Sequence, residues 1–280
     1  MISSKTRLFA VVGWPVEHSL SPVMQNAAFA EAGVDAAYLA LPVAPSDLQA
    51  ALGGAHALGF AGLNVTVPHK EEAARLCETL DPIARKVGAV NTLSRLEAGW
   101  AGHNTDAPAL RGLLTEAGLG PRSRGLVLGA GGAARAAVWA LLEMGAEVTV
   151  AARRPEAAAV LCREMALALG RPESAARPSA WDDAAAQAIR ADAVVHATSL
   201  GLPGKSGELP LLAWRAGQVA VDFVYGDTAF ARSAREAGTR LVTGEQLLVR
   251  QGALAFRIWL DRHPSEEAMA RAVGRHGRSS

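Results

Sequence analysis

The sequence predicts an α/β protein built from two domains, and three observations lead to this prediction. The chain has 280 residues, about twice the length of a typical single domain. Short apolar runs typical of buried strands alternate with longer segments of helical periodicity. In residues 126–144, one such strand runs into a glycine-rich turn and then directly into a helix, which is typical of nucleotide-binding α/β domains.

The apolar runs are connected mostly by helical patterns, so mainly parallel sheets are expected. The predicted strands are 8–12, 37–41, 62–67, 90–93, 126–128, 148–151, 193–196, 219–223 and 240–242. The clearest predicted helices are 22–32, 107–117, 133–144, 157–168 and 246–259.

The boundary between the two domains is placed near residue 105. A helical pattern at 107–117 is followed by the turn-rich segment 118–125, and the sequence then changes character into the strand and glycine turn. The last amphipathic pattern, 246–259, either closes the second domain or returns to the first.

Composition excludes several classes of partner. The formal net charge is +1, which provides no long-range attraction to nucleic acid or to a membrane surface. The sequence has neither an apolar run long enough for a membrane span nor a signal peptide, so a cytoplasmic protein is expected. Cys77 and Cys162 are expected as free thiols, with a single disulfide as the alternative. No cysteine or histidine cluster predicts a metal site.

The glycine turn fits the dinucleotide-binding pattern G-x-G-x-x-G/A, with Gly129, Gly131 and Ala134 in the three defined places. The first glycine permits the tight turn, the second allows the backbone to approach a pyrophosphate, and the small third residue permits close helix packing. The N-terminus of the following helix offers free N–H groups to the phosphates. The alternative is a plain glycine turn between a strand and a helix.

Two arginines follow the next predicted strand and favour NADP over NAD. An NAD-binding domain carries Asp or Glu about 20 residues after the glycines, where it binds the ribose 2′-hydroxyl. Here Arg153 and Arg154 occupy that place, and guanidinium groups suit a 2′-phosphate. The alternative, a solvated pair at a helix start, is electrostatically unfavourable.

Polar side chains cluster at four places in the first domain. Ser19 and Ser21 precede a helix and either bind a carboxylate together or, in the case of Ser21, simply cap the helix. Asn64 and Thr66 face the same way along a predicted strand, and Lys70 opens the next helix. A lysine is misplaced at a helix N-terminus, which suggests proton transfer, with an exposed surface lysine as the alternative.

The third cluster contains Asn91, and the fourth, residues 103–106, lies where the chain leaves this domain. Asn91 stands near the start of a predicted strand, and Asp106 either caps the following helix or takes part in the site. Together, these hydroxyl, amide, lysine and aspartate groups suit a small ligand with a carboxylate and several hydroxyls.

These motifs resemble those of the shikimate dehydrogenase family, in the same order and over nearly the whole chain. The segments 19–22, 64–70, 91–92 and 104–106 resemble its substrate motifs, and 129–135 and 151–154 resemble its NADP-binding motifs. Further similarity lies at 197–201, 222–225, Gly244 and Gln251. His196 and Ala152 depart from the pattern, because asparagine is frequent at both places.

The resemblance implies a substrate domain of residues 1–105 plus 244–280 with a mainly parallel sheet, and a Rossmann-like NADP domain of residues 106–243, joined by a cleft. It implies NADP-dependent, reversible reduction of 3-dehydroshikimate to shikimate in aromatic amino acid biosynthesis, by a monomer or homodimer. The implied catalytic pair is Lys70 and Asp106. The implied substrate residues are Ser19, Ser21, Asn64, Thr66, Lys70, Asn91, Asp106, Tyr225 and Gln251. The implied cofactor residues are Gly129, Ala130, Gly131, Gly132, Ala133, Arg153, Arg154, Thr198, Ser199 and Gly244.

Three other functions remain open at this stage. A quinate or dual-specificity dehydrogenase would share the architecture, although the arginine pair argues against an NAD-using form. A methylenetetrahydrofolate dehydrogenase-like enzyme would need a larger aromatic cleft. A non-catalytic NADP sensor would need neither Lys70 nor Asp106, and both are present.

Overall fold

The computed structural model describes residues 2–202 and 207–276. The chain forms two compact units: Met1–Thr105 with Leu248–Ser280 is the first unit, and Asp106–Leu247 is the second. Strands and helices alternate along both units, as the sequence predicts. In the described residues, no helix is long and apolar enough to span a membrane.

The strands and helices of the described residues are numbered here in chain order. The strands are β1 (Arg7–Gly13), β2 (Ala36–Pro42), β3 (Gly62–Val65), β4 (Thr79–Leu80), β5 (Thr92–Arg95), β6 (Trp100–His103), β7 (Arg124–Leu128), β8 (Glu147–Ala152), β9 (Ala176–Ala180), β10 (Ala193–His196), β11 (Val219–Asp222) and β12 (Arg240–Val242). The helices are α1 (Ser21–Glu31), α2 (Leu48–Ala57), α3 (Lys70–Arg75), α4 (Pro82–Val87), α5 (Asp106–Glu116), α6 (Gly132–Glu143), α7 (Pro155–Ala168), α8 (Ala184–Arg190), α9 (Ala229–Glu236), α10 (Gly244–Leu260) and α11 (Glu266–His276).

The first unit contains a sheet in the order β2-β1-β3-β5-β6-β4. Strand β1 pairs in parallel with both β2 and β3, and β4 pairs in parallel with β6. Strand β5 runs antiparallel to both its neighbours. The predicted mainly parallel sheet is therefore confirmed, with one reversed strand.

The C-terminal helices complete the core of the first unit. Rings of Phe9, Phe29 and Phe256 pack with that of Trp259, with centroid separations of 5.0–5.5 Å between neighbouring pairs. The Trp259 indole lies directly over Gly62, where any Cβ would overlap with the ring. The sequence left open which domain receives the last amphipathic helix, and from Leu248 onward it belongs to the first unit.

The second unit contains a sheet in the order β12-β11-β10-β7-β8-β9, in which every pairing is parallel. Numbered within the unit, this order is 6-5-4-1-2-3, the arrangement of dinucleotide-binding Rossmann domains. The order reverses beside β7, so the loops after β7 and β10 diverge there. Ligands of such sheets bind outside the carboxyl ends of the strands at this point.

Helix α4 has a charged cap that contributes to the stability of the first unit. Asp81 accepts a hydrogen bond from the Ala84 N–H at 2.6 Å and contacts His103 Nδ1 at 3.1 Å. Burial by itself raises the pKa of Asp81, but the hydrogen bonds from His103 and the helix N–H groups outweigh burial, so the pKa is lowered. The carboxylate form therefore stabilises the folded state.

Every predicted strand and helix has a counterpart in the structure, but the prediction lacks three strands and the last helix, α11. The short strands β4, β6 and β9 have no counterpart in the prediction. Strand β9 contains Pro178 and lies at an edge of its sheet, where proline is tolerated because no neighbour needs its missing N–H. Both cysteines are free thiols, as expected.

Candidate active site

The start of α1 holds the two predicted carboxylate-binding serines. The helix begins at Ser21, and Leu20 occupies the cap position without a side-chain hydrogen bond. The prediction that Ser21 caps this helix is therefore wrong by one residue. Ser19 Oγ instead accepts the Ser21 N–H at 3.3 Å, and the buried Ser21 hydroxyl bonds the side chain of Tyr38.

Tyr38 joins Ser21 to Asn64 and was not recognised from the sequence as a site residue. Its hydroxyl donates to Asn64 Oδ1 at 2.6 Å. Burial raises the pKa of Tyr38 well above its ordinary value, and the bond from Ser21 opposes this only in part. The phenol therefore keeps its proton and remains the donor. Asn64 Nδ2 in turn donates to the Asn91 carbonyl and to Thr92 Oγ1, both at 3.0 Å.

Asn91 lies at the centre of this buried polar network. Its Oδ1 accepts the Thr105 N–H at 2.7 Å, and its Nδ2 donates to Thr105 Oγ1 at 2.9 Å and to Gln251 Oε1 at 3.3 Å. Gln251 is oriented by its own bond to the Leu248 carbonyl at 2.7 Å. Three predicted substrate residues, Asn64, Asn91 and Gln251, thus belong to one network.

Lys70 is the first residue of α3, as the sequence predicts, and is partly exposed. Its carbonyl oxygen accepts the Val90 N–H at 2.8 Å, which ties the start of the helix to the residue before Asn91. Thr66 lies one residue beyond β3, because the strand is shorter than predicted. Its methyl group crowds Gly13 so closely that a Cβ there would overlap with it.

Asp106 is the first residue of α5 and is only 5% exposed. The helix starts at Asp106 itself, so the residue in front of it is Thr105, which Asn91 holds by two hydrogen bonds. Thr105, the residue before Asp106, therefore belongs to the same network that orients the predicted substrate residues.

The glycine turn of the second unit has the geometry that its sequence predicts. Gly129 has a φ of +114°, and a Cβ there would lie 2.8 Å from the Ala197 carbonyl oxygen, so only glycine fits. Gly131 precedes α6 in an extended conformation, and a Cβ there would meet no atom within 4 Å. Ala134 is fully buried, as close helix packing requires. The open side of Gly131 at a helix N-terminus, with Ala130, Gly132 and Ala133 beside it, fits a pyrophosphate.

Arg153 and Arg154 follow the end of β8 and are both exposed. Arg154 occupies the cap position of α7, with proline after it. Strand β8 is the direct neighbour of β7, so the arginines and the glycine turn leave the same edge of the sheet. No acidic side chain occupies this place, and the residues present fit a 2′-phosphate.

Two further loops of the second unit contain predicted site residues. Thr198 and Ser199 follow β10 and are partly exposed, and the Thr198 methyl lies 3.2 Å from where a Cβ of Gly129 would be. Beyond β11, the backbone of Val224 and Tyr225 presses on Gly244, where a Cβ would come within 2.6–2.7 Å. Glycine at 244 is therefore required for α10 to begin against this loop.

Comparison with known proteins identifies the family. A family profile described as "Shikimate dehydrogenase substrate binding domain" matches residues 11–93, and one described as "Shikimate 5'-dehydrogenase C-terminal domain" matches residues 244–273. A relative from Anaeromyxobacter sp. (strain K), named shikimate dehydrogenase (NADP(+)), is 61% identical, and the match covers 98% of each chain. The chain belongs to the shikimate dehydrogenase family.

Solved structures of shikimate dehydrogenases share the whole fold. One in complex with NADP+ superposes with a TM-score of 0.89 at 33% identity, over 99% of this chain and 97% of the other. The enzyme from Thermus thermophilus in complex with NADP(H) and shikimate gives 0.83 at 37% identity, over 96% and 99%. The family and fold predicted from the sequence motifs are thus confirmed.

Proposed function

We propose that this chain catalyses the NADP-dependent, reversible reduction of 3-dehydroshikimate to shikimate in aromatic amino acid biosynthesis. Its full-length similarity to NADP-dependent shikimate dehydrogenases, 61% identity over 98% of the chain, carries the proposal. The arginine pair after β8 supports NADP as the cofactor rather than NAD.

The residues of the first unit bind the substrate ring. Ser19, Ser21 and Thr66 hold its carboxylate, and Asn64, Asn91 and Gln251 hold its hydroxyl groups. Hydrogen bonds within the network orient all three amides in advance, which lowers the entropic cost of binding. Asn64 Oδ1 accepts one bond from Tyr38 and has a second acceptor position for a substrate hydroxyl.

Lys70 and Asp106 are the catalytic pair. Lys70 stabilises the negative charge that develops on the carbonyl oxygen and delivers the proton, and Asp106 orients the lysine. Support comes from two hydrogen bonds of the first unit. The Lys70 carbonyl accepts the Val90 N–H, and the side chain of the adjacent Asn91 accepts the Thr105 N–H. Val90 and Asn91 are consecutive residues directly before β5. The start of α3 and Thr105, the residue before Asp106, are therefore both held at the beginning of this strand.

The residues of the second unit bind the cofactor, which supplies the hydride when bound. Gly129 to Ala133 form the pyrophosphate turn, and Arg153 and Arg154 hold the 2′-phosphate. Thr198, Ser199 and Gly244 border the nicotinamide half, and Tyr225 lies near the substrate. In this proposal the substrate domain is 1–105 with 244–280, and the NADP domain is 106–243.

We place the enzyme in the cytoplasm as a monomer or homodimer. Both cysteines are free thiols, which is typical of proteins in a reducing compartment.

The test is a steady-state assay of shikimate and quinate oxidation with NADP and with NAD. We expect efficient turnover only of shikimate with NADP, and Lys70→Ala lowers kcat by at least about a hundredfold with a modest change in KM. Lys86→Ala is the control, because Lys86 is exposed near the end of α4. A rise in KM alone would make Lys70 a binding group, and preferred turnover of quinate would reject the substrate.

A further inference from the structure

The second unit contains a buried histidine–aspartate pair to which the proposed reaction assigns no role. His196 ends β10 and Asp222 ends β11, and the two residues are paired in register. Their exposed fractions are 0% and 1%, and His196 Nδ1 lies 2.8 Å from Asp222 Oδ1. Buried polar groups of this kind must be fully hydrogen-bonded to be tolerated.

The hydrogen bonds around Asp222 assign the proton on the histidine ring. Asp222 Oδ1 also accepts the Val224 N–H at 2.9 Å, and Oδ2 accepts the Thr228 hydroxyl. Thr228 Oγ1 itself accepts the Ala231 N–H at the start of α9, so its own proton is available for Asp222. Surrounded by donors, Asp222 acts only as an acceptor, and His196 Nδ1 must therefore carry a proton.

The other ring nitrogen of His196 holds Thr198. His196 Nε2 lies 2.7 Å from Thr198 Oγ1, and the Leu200 N–H donates to the same oxygen at 3.1 Å. The hydroxyl is thus fixed from two sides, while the methyl group of Thr198 lies against Gly129 of the dinucleotide turn. Thr198 is a partly exposed residue, and one hydrogen-bonding position of its hydroxyl is left for a ligand.

We propose that His196, oriented by Asp222, is a positioning residue that fixes the Thr198 hydroxyl for a polar group of the bound dinucleotide. This inference rests on the proposed function, because it takes NADP to bind at the glycine turn. The chain of contacts runs from Thr228 before α9 through Asp222 of β11 and His196 of β10 to Thr198 at the turn, and its two central members are almost fully buried. A purely structural pair would tie β10 to β11 without affecting the cofactor.

A double-mutant cycle on NADPH affinity separates these two roles. Thr198→Val removes the hydroxyl with little change in shape. In His196→Leu, the side chain fills much of the same buried volume but has no nitrogen to bond either Asp222 or Thr198. Each single substitution is expected to raise the Kd for NADPH about three- to tenfold, the effect of one hydrogen bond. The double variant is expected to be no weaker than the weaker single variant.

Two further measurements sharpen the result. His196→Gln extends an amide towards Thr198 and is expected to recover most of the lost affinity. In steady-state assays, the KM for NADP should rise while the KM for shikimate stays unchanged. A matched control exists in the first unit, where Ser94, His103 and Asp81 form a similar chain with contacts of 2.9 and 3.1 Å. His103→Leu should leave the Kd for NADPH unchanged.

If the Kd for NADPH of the double variant rises by the product of the two single increases, the inference is overturned, because His196 would then act independently of Thr198. Parental affinity in Thr198→Val would also overturn the inference. This second test does not depend on whether the His196→Leu variant folds. Failure of the parent protein to bind NADPH would instead reject the proposed function and, with it, the inference.

Discussion

Replacing Gly131 by alanine should separate cofactor binding from folding at the glycine turn. Gly131 has φ −97° and ψ −169°, an extended conformation that alanine adopts without strain. A Cβ would meet no protein atom within 4 Å. Alanine restricts the unfolded chain, which stabilises the protein slightly, but it is a poorer helix cap than glycine, which destabilises it slightly. The net change in the free energy of unfolding is therefore within about 1 kcal/mol.

Gly129→Ala provides the contrast within the same turn. The φ of +114° at Gly129 is strained for alanine, and the new methyl would lie 2.8 Å from a backbone oxygen. The strain costs about 1–3 kcal/mol before any displacement of the Ala197 backbone. For a domain of this size, that corresponds to a fall in Tm of roughly 3–10 °C.

The two variants are compared by thermal unfolding without cofactor and by fluorescence titration with NADPH. The Gly131 variant should unfold within about 3 °C of the parent. Its Kd for NADPH should be at least about tenfold higher, or about 1.4 kcal/mol, because the methyl blocks the approach of the pyrophosphate to the helix N–H groups. The Gly129 variant should lose both stability and affinity. Parental NADPH affinity in Gly131→Ala would refute the assignment of the pyrophosphate to this turn.

Three further predictions concern charge and burial. Joint replacement of Arg153 and Arg154 by alanine should raise the KM for NADP far more than that for NAD, and an unchanged ratio would reject the 2′-phosphate site. Asp81→Ala should destabilise the protein by about 1 kcal/mol at pH 7 through loss of the cap. The folded-state pKa of Asp81 is lowered, so the stability difference between parent and variant should persist above the unfolded-state pKa and shrink as pH falls through the folded-state pKa. Denaturant titrations at pH 7 and pH 3 measure this difference. An equal difference at both pH values would contradict the prediction. Burial raises the pKa of Cys77 and Cys162 to about 12. At pH 8 both thiols should therefore react with a disulfide reagent at least about a hundredfold more slowly than in the unfolded chain. Fast labelling of the folded protein would contradict their burial.

The glycine turn was predictable because its requirements are local. The turn, the exposed backbone and the helix start lie within a few consecutive residues, and glycine is the residue type that satisfies them. The structure gives Gly129 the positive φ and Gly131 the open side that the pattern predicts. The start of α1 was missed by one residue, because the helix begins at Ser21 and Leu20 takes the cap position.

The polar network was only partly predictable because its contacts are distant in sequence. In the sequence, Tyr38 is indistinguishable from the apolar residues of a buried strand. Its hydrogen bond to Asn64 forms only because the first sheet places β2 and β3 on either side of β1. The contact between Asn91 and Gln251 joins residues 160 positions apart. Motif resemblance supplied Gln251, but periodicity and local patterns had no means of pairing it with the first unit.

Residue types and contact distances alone do not distinguish the two hydroxyl–histidine–aspartate chains described above, Ser94–His103–Asp81 and Thr198–His196–Asp222. Each has contacts of 2.7–3.1 Å, but their surroundings differ. His103 is 20% exposed and Asp81 is 25% exposed, next to a helix cap, so water screens the pair and its effect stays local. His196 and Asp222 are almost fully buried, where each group needs every partner it has. Because only this second chain ends at the glycine turn, only its disruption is expected to change cofactor affinity.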